Sequence, residues 1–248
     1  MPVDFSLQLP CEVRKAMPEP KLVSMVRHRT LAEFAQAQYK AAHPEMDDQA
    51  IRKRVTLDIM MKMPDGTARE MPAPLVEIFG MTKELDAWRA KCPTCRANVS
   101  DRAFGCIGKI NYPIAPEAES WLLSRLPADP QDAALTLLFK FLADLDIYGL
   151  LVDKARSKAH LFVQRRAATR HWGDGVARRS LTSSQLLQML LFGGNIIPQQ
   201  AALYTRLLGL ETVLKDPHPP SANIEQFKTF LCAVVMAGRL NCALGVVG

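Results

Sequence analysis

The chain has 248 residues, of which 48% are hydrophobic and 23% are charged, a balance that is typical of globular proteins and excludes a disordered chain. This length suffices for one large domain or for two small ones. The net charge is +6, and residues 153–180 carry all of it, because they contain eight basic and two acidic residues while the rest of the chain is balanced.

The sequence predicts a protein of the cytoplasm. No basic or apolar segment of the kind that directs export follows Met1. A transmembrane helix needs about 20 mostly apolar residues, and the uncharged stretch at 180–205 is interrupted by Ser, Gln, Gly, Asn and Pro. We therefore expect a soluble protein with no membrane association. Because cytoplasmic thiols stay reduced, the six cysteines favour metal binding or chemistry over a disulfide framework.

The N-terminal half has the patterns of a mixed α/β structure. Alternating apolar residues predict a strand over Val3–Leu9 that runs into Pro10 and Cys11. The segment Thr30-Leu31-Ala32-Glu33 has the form of a capping box and predicts a helix from there to about Ala42. Three more elements are predicted before the cysteines: a short helix at Met46–Lys53, a hairpin of Val55–Met63 and Thr67–Met71 around Asp65-Gly66, and a short helix beginning at Thr82.

The C-terminal half is predicted to be mainly helical. A strand is expected at Ile107–Tyr112, and helices at Pro116–Leu126, Asp132–Leu145, Ser184–Phe192, Pro198–Leu208 and Asn223–Leu240. Pro127–Pro130 is the best linker. We therefore predict an α+β fold, with a mixed lobe over residues 1–126 that has a short antiparallel sheet and a cysteine metal site. A mainly α-helical lobe with the basic residues follows over 127–248.

Four cysteines are candidate ligands of one metal ion. Cys92-Pro93-Thr94-Cys95 has the form of a metal knuckle, in which two intervening residues let both thiolates bind one ion. Cys106 follows ten residues later, with glycines on both sides that permit close backbone packing. Cys11 is the fourth choice, because pairing of the first strand with the strand from Ile107 would bring it to the other three.

Four thiolates suit either zinc or an iron–sulfur cluster. We predict zinc, since there is no second set of cysteines for electron relay, and keep the cluster as the alternative. A thioredoxin-like pair needs a helix after its first cysteine, and Arg96–Ser100 is not amphipathic. Methionines 60, 61, 63, 71 and 81 would suit Cu(I), although methionines on a hairpin more often fill a core. Cys232 and Cys242 are expected to be buried residues of the last helix.

The basic segment is the second candidate site. Basic side chains interleaved with Phe162, His171 and Trp172 suit phosphate contact and base stacking. A solvated helical face and salt bridges within the protein are the competing interpretations. The predicted polyanion-binding residues are Lys154, Arg156, Lys158, Arg165, Arg166, Arg170, Arg178 and Arg179.

These patterns predict a binding protein that is stabilised by a zinc ion and that binds a nucleic acid or an acidic protein partner through its basic lobe. The alternative is an iron–sulfur redox protein or a metalloenzyme, with chemistry near His171 and Asp174. The sequence contains no phosphate-binding loop, nucleophile elbow or zinc-protease motif. The absence of these motifs favours binding over catalysis.

Overall fold

Runs of helices are interspersed with short strands along the chain. A computed structural model describes residues 3–62, 67–100, 102–158, 164–215 and 221–247. Over these residues the elements are β1 (Val3–Leu7), α1 (Glu12–Ala16), α2 (Glu19–Ala42), α3 (Asp48–Arg54), β2 (Thr56–Lys62), β3 (Ala68–Pro74), α4 (Leu75–Met81), α5 (Asp86–Arg89), β4 (Ile107–Ile110), α6 (Pro116–Arg125), α7 (Ala133–Asp144), α8 (Leu150–Arg156), β5 (Thr169–Trp172), β6 (Arg179–Thr182), α9 (Ser183–Leu191), α10 (Pro198–Leu207), α11 (Leu210–Val213), α12 (Ala222–Arg239) and β7 (Leu244–Val247).

The backbone divides into two units. The inserted unit is Pro10–Phe104, and the main unit combines Met1–Leu9 with Gly105–Gly248. This division does not coincide with the boundary after Leu126 that the sequence suggested. The first strand pairs with strands from late in the chain, so the N-terminal residues fold with the C-terminal half.

The main unit is built on an antiparallel sheet of three strands, in the order β4-β1-β7. Its central strand is buried because Phe5 and Leu7 are 1% and 0% exposed, and burying such a side chain stabilises a fold by about 1.5–3 kcal/mol. The Phe5 ring packs edge-on against Phe230 of α12. On its other side it needs the empty space at Gly108, its partner on β4.

The inserted unit packs a long helix against a two-stranded hairpin. The hairpin pairs β2 with β3, and its core is a cluster of six apolar residues: Ala32, Ile59, Ala73, Leu75, Ile78 and Phe79. The ring of Phe79 also receives two cations, since the guanidinium carbons of Arg29 and Arg52 lie 4.7 and 4.0 Å from its centroid. These cation–π contacts cover the Phe79 ring at the edge of the cluster, so the ring is only 9% exposed.

The predicted α+β fold is confirmed, and β1 pairs with β4 as the cysteine argument required. The predicted start of a helix at Thr30 is wrong, because α2 already begins at Glu19 with a proline in its first turn. The Thr30 hydroxyl donates to the Val26 carbonyl, 2.8 Å away, inside the helix. Helices α1, α4, α8 and α11 and strands β5, β6 and β7 were not predicted. No helix among the described residues is long and apolar enough to cross a membrane.

Candidate metal centre and basic surface

The Cys92–Cys95 segment folds as a tight turn. The amide of Cys95 donates to the carbonyl of Cys92 at 3.1 Å, and the side-chain amide of Asn98 donates to the same carbonyl at 3.2 Å. The backbone continues in turns, so no helix follows the two cysteines and the argument against a thioredoxin-like pair agrees with the structure. Short α5 precedes the turn instead.

Cys11 lies near this turn within the inserted unit. An ion pair of 2.6 Å joins Lys91 to Glu12, the neighbours of Cys92 and Cys11 in the chain. Burial raises the pKa of the Cys92 thiol, the Phe104 backbone amide opposes that rise, and the nearby thiols of Cys95 and Cys11 add to it. Cys95 and Cys11 are therefore close enough to Cys92 to act on its thiol electrostatically.

Phe104 contributes to this cluster through its backbone. Its backbone lowers the pKa of the Cys92 thiol, against the larger effect of burial, and its φ angle is 61°, in the left-handed region that bulky residues rarely adopt. The side chain is 7% exposed, so packing holds the residue in this conformation. Amides that point at cysteine sulfur stabilise a thiolate over a thiol. At Cys92 the effect of burial is larger, so the pKa of the thiol is raised overall, and a bound cation would be needed to favour the thiolate.

The fourth predicted ligand belongs to the main unit. The carbonyl of Cys106 accepts a 2.8 Å hydrogen bond from Leu7 as β4 joins β1. Across the described ranges no group of three or more His, Cys, Asp or Glu side chains has the arrangement of a metal site, so the ligand set remains a prediction. Cys242 is buried as predicted, but it follows the end of α12, and Cys232 on that helix is only partly buried.

The methionines that suggested Cu(I) are not core residues where the structure describes them. Met60, Met71 and Met81 are 48%, 38% and 45% exposed. Met63 lies outside the described residues. Exposed methionines on the hairpin and at the end of α4 do not provide the enclosed sulfur site that a copper ion prefers.

Two of the eight predicted polyanion-binding residues serve the fold. Arg156 is 1% exposed and pairs with the equally buried Glu119 at 2.6 Å. Arg170 donates to the carbonyls of Leu123 and Leu126, both at 2.7 Å. The prediction was wrong for these two, because each guanidinium is saturated by partners inside the main unit.

The other six basic residues are exposed: Lys154, Lys158, Arg165, Arg166, Arg178 and Arg179. None of them forms an ion pair with a carboxylate in the described part of the chain, so salt bridges do not explain them. Arg178 and Arg179 lie where β6 begins, whereas Arg165 and Arg166 precede β5 at the other end of the same hairpin. With a rise of about 3.3 Å per residue, these two pairs are up to about 20 Å apart.

The aromatic residues of this segment do not form a stacking surface. Trp172 is 4% exposed, and its indole donates to the carbonyl of Pro127 at 2.9 Å. His171 is exposed on the opposite face of β5, and Phe162 lies outside the described residues. Asp174 is exposed in the loop after β5. Base stacking by Trp172 is therefore excluded, and the exposed basic side chains of this segment offer charge without an aromatic surface.

A cavity in the inserted unit was not predicted from the sequence. It has a volume of about 460 Å³ and lies against one face of α2 that includes Arg29, Glu33 and Phe34. The spacing of these residues marks a helix face, but their mixed chemistry is also typical of a solvated surface. Only the packing of α5 and residues 102–104 against that face reveals the cavity.

Comparisons with protein-family models, with curated proteins and with solved structures find no match to this chain. Its function therefore has to be inferred from the chemistry of its own residues.

Proposed function

We propose that this is a zinc-stapled binding protein in which Cys11, Cys92 and Cys95 hold the ion. The observation that carries the proposal is the tight Cys-Pro-x-Cys turn, in which the Cys95 amide bonds to the Cys92 carbonyl, with Cys11 nearby because its neighbour Glu12 pairs with Lys91. Among the described residues the thiols do not by themselves have the arrangement of a metal site, so the ion would have to draw them together. Zinc prefers thiolate ligands in tetrahedral geometry, and a structural site adds its binding energy to folding. The ion would link Cys11, near the N-terminal end of the inserted unit, to Cys92 and Cys95, near its C-terminal end.

We propose Cys106 as the fourth ligand, and the substitution Cys106→Ser tests this choice separately. An iron–sulfur cluster is the alternative occupant, because cysteine thiolates also bind iron. Zinc needs no partner cluster and suits a structural role. In either case metal binding displaces the thiol protons, so affinity rises with pH.

The test is the metal content of reduced, freshly purified protein, measured by inductively coupled plasma mass spectrometry. We expect one zinc per chain and a colourless sample. Replacing Cys11, Cys92 or Cys95 by serine should remove the ion, and Cys106→Ser should do the same if Cys106 is the fourth ligand. Cys232→Ser is the matched control and should keep it. A brown protein that contains iron would support the cluster, and a metal-free wild type would refute the site.

We further propose that the six exposed basic residues bind a nucleic acid through its phosphates. The supporting observation is that they carry no carboxylate partner in the described ranges although acidic residues are abundant in the chain. Contacts of this kind neutralise phosphates and release counterions, and they do not read base sequence. An acidic protein partner would use the same charges.

Fluorescence anisotropy with a labelled DNA duplex at increasing salt tests this interpretation. The logarithm of the affinity should fall with log salt by about 0.9 for each phosphate contact. Arg165, Arg166, Arg178 and Arg179 are replaced together by glutamate, which should abolish binding. A control with the same charge change replaces four other exposed residues: Lys53, Arg54, Lys83 and Lys140. Equal loss in both variants would show that only net charge matters and would refute a local surface.

A further inference from the structure

The cavity of the inserted unit has the size of a small-molecule site. Its volume of about 460 Å³ lies within the range of about 300–1,000 Å³ that is usual for ligand pockets. One wall is α2, the second is α5 with Leu85, and the third is the segment 102–104 that follows the cysteine turn. All of the lining residues belong to the inserted unit.

Part of the lining is apolar. Val26, Leu85 and Phe104 are at most 7% exposed and form a packed floor. Phe34 also lines the cavity, yet it is 62% exposed. A large aromatic side chain that stays in water beside a cavity offers apolar surface to a ligand. The apolar part of a ligand would therefore pack against Phe34.

The charged part of the lining already contains a closed network. Glu33 accepts hydrogen bonds from Arg29 at 2.9 Å and from Arg89 at 2.5 Å. Asp86 accepts from Arg29 at 2.7 Å. Both carboxylates of the cavity are thus engaged by arginines, and neither is available to bind a cation.

Arg102 is the cation that this network does not neutralise. It lines the cavity, its side chain is exposed, and the described residues give it no carboxylate partner. Among the described residues that line it, the cavity therefore has three guanidinium groups against two carboxylates, an excess of one positive charge. A guanidinium binds a carboxylate through two parallel hydrogen bonds, and a single excess charge matches a monoanion.

We propose that this cavity binds a small organic monoanion, a carboxylate with a flat apolar body. The carboxylate pairs with Arg102 and the body packs on Phe34. This site is independent of the zinc proposal, since none of its predicted contacts involves a cysteine. It adds a small-molecule ligand to a protein that otherwise has a metal site and a charged surface.

Isothermal titration calorimetry with 1-naphthoate tests the site, and 1-naphthamide serves as the neutral probe of equal shape. We expect naphthoate to bind and naphthamide to bind at least about tenfold more weakly, because hydrogen bonds to charged groups are the stronger ones. Arg102→Gln should weaken naphthoate binding about tenfold, and so should Phe34→Ala through loss of aromatic contact. Arg54→Gln removes an exposed arginine of the same unit outside the cavity and should change nothing.

Three results would overturn the assignment: no heat from naphthoate at millimolar concentration, equal affinities for the acid and the amide, or equal affinities of Arg102→Gln and Arg54→Gln. The zinc content of each sample is measured in parallel. A variant that keeps its metal but loses naphthoate supports the cavity site by itself. If Arg102→Gln loses both its metal and its naphthoate binding, Arg102→Lys is measured instead. Lysine keeps the charge without the paired hydrogen bonds, so this variant should bind naphthoate more weakly than wild type but more tightly than Arg102→Gln.

Discussion

Replacing Arg156 by methionine tests how the main unit is held together. Arg156 lies on α8, and its guanidinium pairs with Glu119 of α6 at 2.6 Å and donates to the hydroxyl of Ser184 of α9 at 3.1 Å. The side chain therefore connects three helices. Both charged side chains are 1% exposed. Methionine has a similar length and fills most of the space, so the main effect is on charge.

The magnitude follows from what the substitution leaves behind. Glu119 keeps the hydrogen bond from the hydroxyl of Ser183 but loses its counterion. Breaking a buried ion pair from one side costs about 3–5 kcal/mol, whereas removing both charges costs much less because no charge is left unpaired. We therefore expect Arg156→Met to lower the free energy of unfolding by about 3–5 kcal/mol. The double variant with Glu119→Met should lose less than the sum of the two single variants.

Calorimetry measures the melting temperature, which should fall by about 2–4 °C for each kcal/mol in a chain of this size. Amide hydrogen exchange in α9 reports the stability of the main unit separately from that of the inserted unit. The control is Arg239→Met. It removes a half-exposed ion pair, in which Arg239 lies 2.9 Å from Glu211, and should lower the free energy of unfolding by about 0–1 kcal/mol. If Arg156→Met costs no more than this control, or if the single variants add, the ion pair does not act as described.

Three further outcomes test other parts of the structure. Burial opposes ionisation of Glu33, but hydrogen bonds from Arg89 and Arg29 keep its pKa below the usual 4.5. Its stabilising effect is therefore present above that pH and lost as the pH falls through the lowered pKa, so the difference in melting temperature between wild type and Glu33→Gln should disappear in acid. Gly108→Ala places a methyl 2.4 Å from the Phe5 ring and should cost about 1–3 kcal/mol in urea unfolding, whereas Gly193→Ala, whose methyl would meet only the Met189 carbonyl at an ordinary contact distance of 3.7 Å, should not. A zinc chelator under reducing conditions should lower the melting temperature, and an unchanged melting curve would contradict a structural metal.

The sequence by itself determined the elements whose ends depend on a few neighbouring residues. Asp132 caps α7 by accepting from the amides of Ala134 and Leu135, and Pro198 begins α10. The tight turn at Cys92–Cys95 also follows from its own residues. In each case the deciding interaction joins groups within about four positions of the chain, so local sequence contains it. The pairing of β1 with β4 joins distant segments, and from the sequence it was only a condition for placing Cys11 near the other cysteines.

Only the tertiary structure decided which groups are buried and which elements have partners. Arg156 and Arg165 are the same residue type in one basic segment, yet Arg156 is buried because Glu119 of another helix neutralises it, while Arg165 stays in water. Strand β7 forms because β1 offers it a free edge. The inserted cavity exists because residues far apart in the chain enclose one face of α2. Such outcomes depend on the free energy of contacts between distant segments, and no local pattern contains that information.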